Sequence, residues 1–245
     1  DPLWSRGLGD VYKRQRLGSD IKHPEGLFFP DTYIFTPGST DFDLLRRAYQ
    51  EGQRILDDTW SKRQSDLPVA TPYEALVLAS IIEKETGHGP ERRRVSGVFT
   101  NRLKIGMLLQ TDPTVIYGMG DAYQGRIRKR DLQTDTPWNT YTRPGLPPTP
   151  IAAPGRAALL AAVQPEQHKF LFFVSRGNGT SEFSVNLNEH NRNVSRYILG
   201  QTPAARPAAA TPAPAGAPTP APAAPAQAPT STPDADPAPA QGQDQ

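Results

Sequence analysis

The chain has 245 residues, no cysteine and a formal net charge of +2 at pH 7. The absence of cysteine excludes disulfide bonds and cysteine-ligated metal sites, and the near-neutral charge gives no argument for a nucleic-acid ligand. No apolar run approaches the roughly 20 residues that a membrane-spanning helix needs.

Both ends of the chain differ from its middle. Residues 1–15 show no periodicity and close with DVYKRQ (Asp10–Gln15), the in-frame translation of a common sequencing-transposon end. We interpret residues 1–15 as a non-native segment, the alternative being a genuine N-terminus. Residues 201–245 are more than half Pro and Ala. Such a composition buries too little apolar surface to offset its ordering entropy, so we predict a disordered tail that is a spacer or a docking arm.

The segment between these ends begins with helix signatures. Thr40 and Thr71 are suited to cap helices, and the second cap forms the start of a capping box with Pro in the first helical position. Apolar residues then recur at helical spacing. Four helices are predicted: Asp41–Lys62, Thr71–Thr86, Pro90–Ile105 and Gly155–Val163.

Strand signatures are concentrated near the end of this segment. The apolar run Phe170–Val174 and the segment Glu182–Val185 flank a Gly-Asn-Gly turn, which predicts a β-hairpin. Thr32–Phe35 predicts one more strand, and Leu187–Leu199 predicts a last helix. Helices followed by a hairpin, without β-α-β alternation, indicate an α+β domain over residues 16–200.

The helix at residues 71–86 ends in ASIIEKET (Ala79–Thr86), which places Glu83 and Glu85 beside an otherwise apolar helix. At about 100° per residue, the two glutamates flank the apolar face on opposite sides. Periodicity therefore does not choose between them. A surface or capping charge is the ordinary explanation for either one.

Three further blocks follow this helix along the chain. They are MLLQTDPTVIYGMG (Met107–Gly120), WNTY (Trp138–Tyr141) and GLPPTPIAAPG (Gly145–Gly155). Together the four blocks resemble the YceG-like family of endolytic murein transglycosylases, over roughly Glu25–Leu199. The resemblance implies a helical catalytic domain with a small sheet, a lysozyme-like cleft, and neither cofactor nor metal.

The resemblance also implies a reaction and a catalytic acid. Family members cleave the bond between N-acetylmuramic acid and N-acetylglucosamine and leave a 1,6-anhydro end. The family's glutamate directly follows the apolar pair, here Ile81-Ile82, which makes Glu83 the expected acid and then base. Its surroundings are expected to raise its pKa by desolvation. Glu85 is expected to orient Glu83, to bind an arginine, or to lie on the surface.

Five other residues are candidates for substrate binding, because amides, hydroxyls and aromatic faces suit sugars. Gln110 has no evident structural role, whereas Asp112 would either cap a helix starting at Pro113 or contact ligand. Asn139 and Tyr141 belong to the WNTY block, and the resemblance makes Tyr141 a site residue, the alternative being a loop tyrosine packed on the core. Asn186 is expected to be an N-cap first and a site residue second.

Two other features have more ordinary explanations. His190 is expected to be structural, because the four histidines lack metal-site spacing. The basic run Arg126–Arg130 is expected to be a solvated loop, and no nucleic-acid motif accompanies it.

Peptidoglycan strands are the expected substrate, and peptidoglycan synthases are candidate partners. The resemblance implies attachment to the bacterial inner membrane through an N-terminal anchor, with the catalytic domain facing the periplasm. Two rival functions remain open: a hydrolytic muramidase on the same scaffold and a non-catalytic peptidoglycan-binding module.

Overall fold

The computed structural model describes Leu17 and residues 23–200. The predictions of a non-native segment at 1–15 and of a disordered tail at 201–245 lie outside the described residues. None of the helices within the described residues combines the length and apolarity that crossing a bilayer requires.

The described residues form helices and one small antiparallel sheet, which confirms the α+β class. The elements in chain order are α1 (Asp41–Ser61), α2 (Pro72–Glu85), α3 (Arg92–Lys104), α4 (Asp112–Met119), α5 (Lys129–Gln133), α6 (Arg156–Val163), β1 (Phe172–Ser175), β2 (Ser181–Ser184) and α7 (Leu187–Tyr197). Short 3-10 turns at Gly89–Glu91 and Gly120–Ala122 precede α3 and follow α4.

Helix α2 is the centre of the fold. Every residue from Ala75 to Ile82 is buried, so the helix is enclosed on all sides rather than on the one apolar face that the sequence indicated. Helix α6 packs along it, and α1, α3 and α4 contact it from other directions. Its two ends are partly exposed, and the last turn carries the two glutamates.

The caps predicted at Thr40 and Thr71 are confirmed. Thr40 and Thr71 each accept a hydrogen bond from the backbone N–H three residues on, and the acidic side chain at that position accepts one from the backbone N–H of the cap. These capping boxes satisfy backbone donors that a helix start leaves without partners.

The predicted hairpin is also confirmed, and it packs against α3. Phe172 pairs with Ser184 and Phe173 with Phe183 across the antiparallel ladder. The ring of Phe173 meets that of Phe99 edge to face, with centroids 6.0 Å apart. Helix α7 also packs against the hairpin, so α3, the hairpin and α7 form one wall of the site described below.

Three local predictions are corrected. Residues 32–35 form no strand, because no sheet edge adjoins them and the carbonyl of Ile34 accepts from Arg47 instead. The N-cap of α4 is Thr111 rather than Asp112, which is the first helical residue. Part of the basic run expected to be a loop lies in the short helix α5.

Candidate active site

A cleft of about 380 Å³ opens between the end of α2, the start of α4 and the wall formed by α3, the hairpin and α7. Its volume lies in the range of ligand-binding sites. The polar and aromatic side chains that line it include Glu85, Arg102, Gln110, Asp112, Tyr141 and Phe172. The structure therefore brings together three of the predicted site residues, Gln110, Asp112 and Tyr141, with Glu85 instead of Glu83.

Glu85 is the last residue of α2 and lines the cleft. The hydroxyl of Thr111 donates a hydrogen bond to its Oε1. Burial raises the pKa of Glu85 above its ordinary value. The hydrogen bond from Thr111 and the charge of Arg102 lower this pKa, whereas the charge of Asp112 raises it further. A carboxyl group with a raised pKa keeps its proton to higher pH than an ordinary carboxyl group, which suits a general acid.

Glu83 occupies a different environment. Its Oε2 accepts a hydrogen bond from the backbone N–H of Gly155, at 3.1 Å, and Glu83 is not among the residues lining the cleft. Gly155 is the N-cap of α6, so this bond joins the end of α2 to the start of α6. Residues two positions apart on a helix point in directions that differ by about 200°, which explains why the two glutamates face different elements.

Tyr141 and Asp112 form a hydrogen-bonded pair that lines the cleft. The Tyr141 hydroxyl donates to Oδ1 of Asp112 at 2.5 Å. Burial, the hydrogen bond to Asp112 and the charges of Asp112 and Glu85 raise the pKa of Tyr141. The phenol therefore stays protonated and holds the Asp112 carboxylate in place.

Gln110 adopts a backbone conformation that is unusual for its residue type. Its φ is 48°, in the left-handed region, and it is the one non-glycine with positive φ among the described residues. Such a conformation costs roughly 1–3 kcal/mol and is found preferentially at functional sites. The backbone N–H of Gln110 donates to the carbonyl of Thr140, and its exposed side chain lines the cleft.

Arg102 is a site residue that sequence reasoning missed. It is only 8% exposed, and its guanidinium donates to the carbonyls of Leu171 and Leu109 at 2.6 and 2.7 Å. Burial lowers its pKa. A signal was present, because Arg102 falls three residues after Phe99 and seven after Val95, on the apolar face of α3.

Asn139 does not reach the cleft. It is fully buried, its amide nitrogen donates to the carbonyls of Leu132 and Thr134, and its oxygen accepts from the backbone N–H of Tyr141. Because its hydrogen-bonding groups are used within the fold, we assign Asn139 to positioning the loop that carries Tyr141 instead of to sugar contact.

Asn186 and His190 lie on α7. Asn186 is the N-cap, as expected, with its side chain accepting from the N–H of Glu189 at 2.9 Å, and it does not line the cleft. His190 does line the cleft and stacks on Phe172 with ring centroids 5.2 Å apart. Among the described residues, no group of three or more histidine and acidic side chains is arranged to hold a metal ion.

Comparison with known proteins places the chain among relatives. A sequence model described as the YceG-like family matches residues 7–196. The chain belongs to the YceG-like family. This confirms the resemblance carried by the four sequence blocks.

Individual relatives agree with this membership. The chain is 36% identical over 190 residues to an endolytic murein transglycosylase of Bacillus subtilis, covering 77% of this chain and 52% of the relative. It is 30% identical over 179 residues to an endolytic murein transglycosylase of Streptococcus pneumoniae strain D39, covering 71% of this chain and 32% of that protein. The chain thus spans about half the length, or less, of these two YceG-like relatives.

A solved structure supports the fold. A crystal structure of a YceG-like protein from Listeria monocytogenes superposes with a TM-score of 0.63 at 31% identity, covering 75% of this chain and 62% of that one. The helical domain with its small hairpin is therefore a fold already seen among YceG-like proteins.

Proposed function

We propose that this chain is the catalytic part of an endolytic peptidoglycan lytic transglycosylase. The observation that carries the proposal is the position of Glu85, a carboxyl group of raised pKa that faces a cleft lined by an amide, a phenol and an arginine. The relatives named endolytic murein transglycosylases support the substrate class.

In this proposal the catalytic acid is Glu85 and not Glu83, which the family resemblance had indicated. Glu85 faces the cleft and is desolvated, whereas Glu83 spends a carboxylate oxygen on the backbone of Gly155. A general acid must reach the leaving oxygen within hydrogen-bond distance, so a group outside the cleft is poorly placed to act. Glu83 instead fixes the last turn of α2, and thereby the direction of Glu85.

The reaction proceeds in two proton transfers. Glu85 donates its proton to the oxygen between N-acetylmuramic acid and N-acetylglucosamine as the bond from that oxygen to C1 breaks. Positive charge develops on the muramic acid ring, as in other glycosidic cleavages. The Glu85 carboxylate then takes the proton of the 6-hydroxyl while that oxygen bonds to C1. A 1,6-anhydro end results, Glu85 is protonated again, and no water is consumed.

Neighbouring residues suit these steps. The guanidinium of Arg102 lowers the pKa of Glu85 and so helps to stabilise the carboxylate that forms after proton donation. Gln110 and Tyr141 provide an amide and a phenol for the sugar's hydroxyl and acetamido groups. The cleft in this proposal corresponds to the lysozyme-like cleft that the family resemblance implied.

A hydrolytic muramidase is the second candidate, and one observation favours it. Asp112 is a second carboxylate in the same cleft, and hydrolysing glycosidases use such a group as base or nucleophile. Its bond to Tyr141 argues against that use, because the phenol occupies one of its oxygens. A non-catalytic binding module would have no use for a desolvated carboxyl group.

Product analysis tests this proposal. The chain is incubated with purified, peptide-free glycan strands, and the masses of the products are determined by mass spectrometry. Fragments ending in 1,6-anhydro-muramic acid, each lighter by one water than a hydrolysis product, are expected. Fragments with reducing muramic acid ends would select the muramidase, and unchanged strands would select the binding module.

The setting of the reaction is proposed on the resemblance alone. We place the catalytic domain on the periplasmic side of the bacterial inner membrane, anchored by a segment that precedes this chain in the whole protein. There it would cut nascent strands, stop their elongation and work beside peptidoglycan synthases.

A further inference from the structure

A second cavity, larger than the acid cleft, lies between the loop at residues 23–28 and helix α4. Its volume is about 590 Å³. Aromatic and titratable side chains that the proposed reaction does not use line it: His23, Glu25, Phe28, Tyr117 and Trp138. A sizeable, mainly apolar cavity with a few convergent polar groups is the usual form of a ligand-binding site.

The aromatic rings of this cavity form an ordered group. Tyr117 and Trp138 meet edge to face with centroids 5.5 Å apart, and the ring of His23 lies 6.2 Å from that of Tyr117. The Trp138 indole donates to the hydroxyl of Thr149 at 2.9 Å, which fixes its orientation. These contacts hold the rings in place before any ligand arrives, which lowers the entropic cost of binding.

Polar groups adjoin the rings. Burial raises the pKa of Glu25, and burial together with the Glu25 charge raises the pKa of Tyr117 to about 12. The Tyr117 hydroxyl lies 3.4 Å from Nε2 of His23. A carboxyl, a phenol and an imidazole beside aromatic faces offer a pyranose ring both a packing surface and partners for its hydroxyls.

Two elements connect this cavity with the acid cleft. Helix α4 provides Asp112 to the cleft and Ile116 to the cavity, residues one turn apart on the same side and separated by about 6 Å along the axis. The loop after α5 provides Tyr141 to the cleft and Trp138 to the cavity. Lys84, next to Glu85 in the chain, also lies close enough to Glu25 to lower its pKa.

We propose that the cavity beside Tyr117 and Trp138 is a second sugar-binding site, which holds a saccharide unit of the same strand away from the bond that is cut. The inference rests on the proposed function, because the strand in the cleft defines which ligand reaches the cavity. Binding energy from such a remote unit positions the strand and favours long strands over short ones.

A variant that fills the cavity tests this site. Ile116→Trp places a large side chain in the cavity, and Ile105→Trp is the matched control at an exposed position outside both cavities. For long strands, we expect Ile116→Trp to raise KM about tenfold or more while kcat changes less than about twofold. For the shortest strand that the wild type cleaves, both variants should equal the wild type. Equal KM values for all three proteins on long strands would overturn the proposal.

Binding measurements separate failure of this inference from failure of the proposed function. Calorimetric titration of long, peptide-free strands into the full chain requires no cleavage. Affinity reduced about tenfold by Ile116→Trp and unchanged by Ile105→Trp supports the site even if no strand is cut. Equal affinities overturn it, whether or not the wild type is active. If Ile116→Trp is unfolded by circular dichroism, Glu25→Gln, which keeps shape and loses only the carboxyl, replaces it with the same expected outcome.

Discussion

The hydroxyl of Thr111 donates a hydrogen bond to Oε1 of Glu85, and so joins the N-cap of α4 to the last residue of α2. This contact fixes the direction of Glu85 and stabilises its ionised form. Glu83, two residues earlier, is fixed in the same way by Gly155. Of the two glutamates, Glu85 therefore lines the cleft, because Thr111 holds Glu85 there and Gly155 holds Glu83 at the start of α6.

The Thr111 contact predicts a change in the pH dependence of activity. Thr111→Val keeps the shape of the side chain and removes the donor. Because this hydrogen bond lowers the pKa of Glu85, its loss should raise that pKa further. The acid then stays protonated to higher pH, so the alkaline limb of the kcat/KM profile should move to higher pH. An alkaline limb that stays in place would show that Glu85 is not the group that titrates.

A second prediction concerns stability and pH. Because burial raises the pKa of Glu85 in the folded protein above its ordinary value, the folded protein binds this proton more tightly than the unfolded chain does. The contribution of Glu85 to the stability of the folded state is therefore most favourable below the pKa that it has in the unfolded chain. This contribution is lost as the pH rises through the pKa that it has in the folded protein. Glu85→Gln should gain thermal stability relative to wild type as pH increases from about 4 to 8. A melting-point difference that is constant over this range would contradict the desolvation of Glu85.

Tyr141 is expected to matter through its hydroxyl. Tyr141→Phe keeps the ring and removes the bond that holds Asp112. A hydrogen bond to a charged group contributes about 1.5–3 kcal/mol, so kcat/KM for glycan strands should fall roughly tenfold or more. The melting temperature is measured beside the kinetics. A loss of stability with unchanged kinetics would assign Tyr141 to the core.

Asn139 is expected to affect stability before it affects binding. Asn139→Ala removes an amide that bonds two carbonyls and the N–H of Tyr141, and leaves them buried without partners. We expect the free energy of unfolding to fall by roughly 2–4 kcal/mol, measured by urea denaturation. If stability is unchanged and KM for glycan strands rises, Asn139 contacts sugar as first expected.

Much of the fold could be predicted because its signals are local. The capping boxes at Thr40 and Thr71 and the glycine turn of the hairpin act within a few residues. The prediction of a strand at residues 32–35 was wrong because a strand needs a neighbouring strand to pair with, which no local sequence pattern reveals.

The site was harder to predict because it depends on tertiary packing. Glu83 and Glu85 flank the apolar face symmetrically, and only the positions of α4 and α6 decide which one reaches the cleft. The polarity of Asn139 suggested a ligand contact, but the same amide suits a buried loop. Arg102, in contrast, could have been predicted from the sequence, because its spacing places it on the apolar face of α3.

Comparing Glu85→Gln with Glu83→Gln determines whether Glu85 is the catalytic acid. The rate of appearance of 1,6-anhydro ends is measured on purified strands, and strand binding and folding are checked for both variants. General acid–base catalysis accelerates a reaction by about 10²–10⁴-fold, so the rate of cleavage by Glu85→Gln should fall by that factor while the variant still binds strands. Glu83→Gln keeps an acceptor for the Gly155 N–H and should retain most of the activity. Loss of activity in Glu83→Gln with activity kept in Glu85→Gln would contradict the account.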